Sequence, residues 1–220
     1  MGMCQKCEVL PAPPAGTQEK EGNLASADIT KRAIADAMKT LMAEKPLAKI
    51  SVGDVVERCG MNRNSFYYHF KDKMDLVNWI FYAEIAEVLS RDEVADGTVW
   101  VLLGGMCDYF YEKQVFYRNA FGVDGQNSFL EYFTDLMKRI IQARLSDIYN
   151  EGAYQDFFVD FYADVFVLTI RRWLLQGASM PPATLAGLLR KAMNGEGMQA
   201  METDTPPEGP PEKEKLPPGG

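Results

Sequence analysis

The sequence predicts an all-α chain in which a short three-helix unit carrying a helix-turn-helix precedes a larger, all-helical C-terminal domain. Three observations predict it. Apolar residues recur with a 3.6-residue period from about residue 30 to residue 194, and neither an alternating strand pattern nor an Asn-Gly hairpin signal interrupts them. Gly60, with Asn62 two residues later, separates two short apolar stripes in the way that a helix, a tight turn and a second helix require. Pro-, Gly- and charge-rich stretches flank the periodic region and have no apolar period of their own. The division expected is a disordered tail over 1–27, the helix-turn-helix unit over 28–73, the larger helical domain over 74–194 and a disordered Pro-rich tail over 195–220.

Each element has its own justification. Thr30 is the expected N-cap of a first helix over about 30–44, with Ile34, Met38 and Leu41 on one face and Pro46 beyond its end. Ser51 and Asp54 have capping-box spacing and open a second helix whose inner stripe is Val52, Val55, Val56 and Cys59. Gly60 ends it. Asn62 caps a third helix, and Met61 and Phe66 have the spacing of a hydrophobic staple. The next helix, 72–89, is apolar on most of its circumference (Leu76, Val77, Trp79, Ile80, Phe81, Ile85) and must be covered on more than one side. After a break at Asp92 to Gly97, helices are expected at 98–113, 116–121, 127–149, 155–176 and 182–194, the last opened by Pro181 and Pro182.

Composition excludes several function classes. No apolar run is long enough to span a bilayer, and the segment from Met1 to Lys6 has no apolar stretch to act as a secretory signal, so a cytoplasmic protein without membrane contact is expected. Four cysteines are too few and too irregular for a disulfide framework; Cys4 and Cys7 form a CxxC without a second pair or a nearby His. His69 is the single His, which removes multi-His metal sites and His-based triads. No phosphate-cradling Gly loop is present. Neither a cofactor nor a metal is expected, and enzyme chemistry has no residue set to carry it.

The net charge of −8 argues at first against a nucleic-acid partner. Its distribution reverses this. From Thr30 to Lys73 there are nine Lys and Arg against five acidic residues, so a basic end is joined to an acidic body. In the third helix Phe66 and Phe70 face inward and turn Arg63, Tyr67 and Lys71, with Asn64 and Tyr68 beside them, outward. An Arg can contact guanine in two places and an Asn can do the same with adenine, while Tyr hydroxyls reach phosphates. A solvated polar stripe is the plainer reading of such a face. Two adjacent exposed Tyr beside an Arg and an Asn favour double-stranded DNA.

The run from Ile50 to Lys73, ending Ser65-Phe66-Tyr67-Tyr68-His69-Phe70-Lys71-Asp72-Lys73, resembles the DNA-binding domain of the TetR family, over about residues 30–80. The resemblance implies a three-helix reading domain joined by a fourth helix to a ligand-binding and dimerisation domain. Carried onto this chain, it implies that Arg63, Asn64 and Ser65 face bases or adjoining backbone, that Tyr67, His69 and Lys73 contact phosphates, that Tyr68 lies at the groove edge, and that Ser51 holds a further phosphate. Gly53 departs from the pattern: many members carry a basic or polar residue there, so a contact is expected to be lost and the helix weakened by about 1 kcal/mol relative to Ala.

Phe116 to Phe121 and Gly125 to Phe129 are similar to the C-terminal domain of a TetR subgroup of dihydroxyacetone kinase regulators. The family resemblance also implies that the last two helices pair with those of a second copy; the many apolar residues of 155–176, with Leu185, Leu188, Leu189 and Met193, fit that homodimer. The function it implies is a ligand-responsive repressor reading a pseudo-palindromic operator, in which a small-molecule effector moves the 72–89 helix. The alternative is a co-activator controlled by a partner protein docked on the C-terminal domain. Asp108, Tyr109, Arg118, Asp160, Asp164 and Arg171 are polar candidates for a pocket, and ion pairing is the expectation for each.

Overall fold

The computed structural model describes residues 24–89, 98–125, 128–145 and 154–194. Residues 24–27, expected in the N-terminal tail, are helical, whereas residues 1–23 of that tail, the whole C-terminal tail, Cys4 and Cys7, the 92–97 break and the end of the 127–149 helix lie outside the described residues. Within them the chain is helical throughout: α1 (Leu24–Glu44), a 3-10 turn (Leu47–Lys49), α2 (Val52–Arg58), α3 (Arg63–His69), α4 (Lys73–Leu89), α5 (Val99–Glu112), α6 (Gln114–Ala120), α7 (Phe129–Leu145), α8 (Gln155–Leu175) and α9 (Pro182–Met193).

α1 corrects one expectation. It starts six residues before Thr30, which sits half-buried inside the helix rather than capping it. The reason is that the inward stripe does not begin at Ile34: Ala27 and Lys31 are buried on the same face, in step with Ile34, Met38 and Leu41. The turn chemistry downstream is as expected. Gly60 has φ +69, and the side chains of Ser51 and Asn62 accept the backbone N–H of Asp54 and Ser65.

α1, α2 and α3 enclose Val55, Val56, Phe66 and Phe70, and α4 leads away with Leu76, Val77, Ile80, Phe81 and Ile85 all buried. α4 touches α1, α5 and α7, which covers its wide apolar circumference. The two halves are therefore not separated by a solvent gap; one buried apolar cluster runs from Ile34 on α1 to Leu189 on α9. Its centre is aromatic. Around Phe81 stand Phe110, Tyr117, Phe129 and Phe133, with ring centroids 5.9, 5.8, 5.2 and 5.4 Å away. Most of these pairs meet edge to face, the arrangement favoured by the ring quadrupoles and worth about 0.5–1.5 kcal/mol beyond area burial.

α7 packs along α8, and α9 returns onto α5 through Leu185 and Leu189. Trp173 fixes that return by donating its indole N–H to the carbonyl of Met180 at 3.0 Å. α8 is apolar beyond what the core uses: Phe157, Phe161, Leu168 and Leu175 are exposed and, at offsets of four, seven and seven, share one stripe. No helix among the described residues is long and apolar enough to cross a membrane.

Candidate nucleic-acid interface

α2 and α3 are seven residues each, too short to be stable alone, so their geometry depends on their ends and their inner faces. At the start of α2 a full capping box forms. Asp54 N–H donates to Ser51 Oγ at 3.2 Å, and the Asp54 carboxylate accepts from Ser51 N–H at 2.7 Å and Ser51 Oγ at 2.9 Å. Lys45 approaches the same carboxylate at 3.2 Å. These donors, Ser51 N–H first, hold Asp54 down to about 2. At the other end Arg58 makes a two-pronged pair with Glu44 of α1, both bonds 2.7 Å, and its hydrogen bonds lower the Glu44 carboxyl below its ordinary range.

α3 starts at Asn62, whose Oδ1 accepts from Ser65 N–H at 2.9 Å and Ser65 Oγ at 3.2 Å. Phe66 and Phe70 are buried, and Phe70 packs edge-on against Trp79 of α4. Arg63, Asn64, Tyr67 and Tyr68 are exposed, the tyrosines by 57% and 70% of their surface. Such exposure of two large aromatic side chains, side by side on one face, is what a face awaiting a partner presents.

Two predicted contact residues sit elsewhere. His69 is buried, edge-on to Tyr68 at 4.9 Å, rather than on the exposed face. The helical period explains it: with Phe66 inward, the residue three positions on shares its side. Lys73 is committed to the fold. Its Nζ donates to the carbonyls of Leu47 (2.8 Å), Ala48 (3.4 Å) and Ile50 (2.8 Å), so it ties the start of α4 to the 3-10 turn, and burial lowers its pKa. The N-cap of α4 is Asp72, which accepts from the N–H groups of Met74 and Asp75. Ser51 and Ser65 remain at the surface of the interface, each with its hydroxyl already bonded in a cap.

The cations divide in the same way. Arg32, Lys39, Lys45, Arg58 and Lys73 are engaged by acidic side chains or carbonyls. The charged groups of Lys49, Arg63 and Lys71 make no ion pair or hydrogen bond among the described residues. All three are exposed, on the turn before α2, at the start of α3 and just after it. The cations of this end that no ion pair engages among the described residues thus lie around α3, where an anionic backbone can approach them.

Sequence reasoning missed Asn119 of α6. Its side chain donates to the carbonyls of Met42 and Lys45, both at 3.0 Å, and accepts from Leu47 N–H, so it clasps the link between α1 and α2 from the C-terminal half. Its contacts lie more than 70 residues away in sequence, and no local pattern announces them. Glu84 on α4 was missed for the same reason: it pairs with Lys39 at 2.6 Å and accepts from the Tyr109 hydroxyl, which also bonds to buried Tyr117. Burial pushes both phenols far above their ordinary range. Of the polar residues expected to pair, Asp160 meets Lys138 at 2.9 Å and Arg171 meets Asp124 at 2.8 Å.

A buried-backed helix with an exposed Arg-Asn-Tyr-Tyr face, carried on a capped helix-turn-helix and continued into a helical body, defines a DNA-binding transcriptional regulator. Comparison with known proteins agrees. Residues 27–80 match the model of the TetR family of bacterial regulatory proteins, and residues 102–195 match that of a C-terminal region of TetR transcriptional regulators. The chain belongs to the TetR family. It is 28% identical over 162 residues to the dhaKLM operon transcriptional activator DhaS of Lactococcus lactis subsp. lactis (strain IL1403), covering 72% of this chain and 86% of that protein. Solved structures of similar fold include the dihydroxyacetone kinase operon activator DhaS (TM-score 0.56, 23% identity, 80% of this chain and 98% of that one). A TetR regulator from Streptococcus agalactiae 2603V is another (TM-score 0.59, 24% identity, 76% and 94%). NalD of Pseudomonas aeruginosa, the secondary repressor of the MexAB-OprM efflux pump, is a third (TM-score 0.53, 17% identity, 77% and 96%).

Proposed function

We propose that this regulator reads a pseudo-palindromic DNA site as a homodimer, through Arg63, Asn64, Tyr67 and Tyr68 of α3, with Ser51, Ser65, Lys49 and Lys71 towards the phosphates. The observation that carries the reading is the exposed face of α3 surrounded by unpaired cations. The dimer rests on the apolar stripe of α8 and exposed Leu188 of α9, which in a single copy leave Phe157 and Phe161 in water. His69 and Lys73 act behind this surface: one packs α3 and the other anchors α4.

Control acts through the junction of the two halves. A cavity of about 250 Å³ lies there, lined by Lys39 and Ala43 of α1, Ile80 and Glu84 of α4 and Val115 and Phe116 of α6. A small effector in it would press on α1 and α4 together and change the spacing of the two α3 helices, the repressor reading. The second reading, an activator whose partner protein docks on the C-terminal half, is supported by the similarity to DhaS, which is an activator.

Selection of bound sequences from random duplex DNA, followed by salt titration, tests the interface. Arg63→Ala is expected to cost about 1–3 kcal/mol and relax preference at one position. Lys71→Ala is expected to weaken all sequences alike and to lower the salt slope by about one. Wild-type protein without saturable, sequence-preferring binding at low salt would refute the reading.

A further inference from the structure

Gly53 lies on the first turn of α2, and the space its missing side chain leaves is taken by Arg63. A Cβ at position 53 would stand 3.1 Å from a terminal guanidinium nitrogen of Arg63 and 3.4 Å from Ser51 Oγ. Both distances are tighter than ordinary van der Waals contact or at its edge. The guanidinium is therefore laid back across α2 beside the capping hydroxyl, although its backbone belongs to α3. Its charge has no ion pair or hydrogen bond among the described residues, so the placement leaves its donors available.

Resting on the DNA-reading function above, we propose that Gly53 is a specificity-determining residue: by carrying no side chain it seats the Arg63 guanidinium at the α2–α3 junction, from which that group reads its base. Gly53 does this as a positioning residue and touches no base itself. The departure at this position is then an exchange of one contact for another. A guanidinium recognises guanine by two parallel bonds in a fixed fork, and such a fork tolerates little displacement. Position 53 sets where the fork starts. An added methyl group moves it by a few tenths of an ångström, because the atom met is the flexible end of a side chain. A larger side chain evicts it.

The experiment is a double-mutant cycle on the full chain, with the selected duplex and a scrambled duplex as probes. Gly53→Leu is expected to weaken binding to the selected duplex about 5- to 100-fold, to change binding to the scrambled one by less than about two-fold, and to relax preference at the position that Arg63→Ala relaxes. In the Arg63→Ala background, Gly53→Leu should have no further effect. Gly53→Ala, with a smaller loss at the same position, should raise the thermal midpoint or leave it unchanged, since Ala is the better helix former, and this separates the effect from misfolding. Additive effects, or a preference untouched by Gly53→Leu, overturn the proposal while the DNA reading stands. Absence of preferential binding by the wild type takes down both.

Discussion

Between Ser51 and Lys73 the chain is held by side chains that bond backbone groups three or four residues away, whereas from Phe81 to Phe166 it is held by rings packed on rings. In the first region the buried apolar contribution of each seven-residue helix is small, Val55 and Val56 on α2 and Phe66 on α3 with Phe70 just beyond its end, and caps and ion pairs set its angle. In the second, eight large aromatic side chains, among them Phe81, Phe110, Tyr117 and Phe133, are buried. The contrast teaches where damage should spread. A lost cap loosens one helix of the reading head, while a lost ring loosens everything that α4 touches, the reading head included.

The largest expected effect breaks the ring cluster. Phe81→Ala should cost about 3–5 kcal/mol in urea unfolding, because it leaves a cavity facing six other rings, and should lower DNA affinity with it. Next is the anchor between the two regions. Lys73→Met keeps the length of the stem but takes the ammonium donor from three carbonyls, of which that of Ile50 loses a part-buried partner while that of Leu47 keeps the N–H of Ile50, and about 1–3 kcal/mol of stability should go in the same measurement. A contact of Lys73 with phosphate predicts something different: a lowered salt slope of DNA binding with little change in stability.

The smallest effect comes from acid. Asp54 in the folded chain titrates at about 2 against an ordinary value near 3.9, and Glu44 is lowered as well. Because the folded values are depressed, their contribution is fully present above the ordinary carboxylate range and is lost as pH falls from about 4 towards 2. Hydrogen exchange followed over that interval should show the α2 amides losing protection before those of α5 and α7. Equal loss in both would mean that the two regions do not differ in what holds them.

Legibility in the sequence follows the same division. The capping box at Ser51, the Asn62 cap and the Gly60 turn were readable because cause and effect lie within four residues. The exposed placement of Arg63, Asn64, Tyr67 and Tyr68 was readable from the inward pair Phe66 and Phe70. The phosphate contact expected of His69 came from the family resemblance, whereas the helical period puts this i+3 neighbour of Phe66 on the inner face, where it is buried. Thr30 was misread because a good capping residue can lie inside a helix whose buried stripe begins earlier, here at Ala27. Lys73, Glu84 and Asn119 were beyond sequence reasoning, since each finds its partners across 23 to 77 residues of chain.

The Asn119 clasp constrains how motion can pass between the halves. One amide group serves an N–H and two carbonyls of the α1–α2 link at once, so an ångström of slippage does not weaken one bond but unmakes all three. A joint of this kind has a detent. It holds its one seated position until all three bonds give way together, so the halves are not free to slide past one another by degrees.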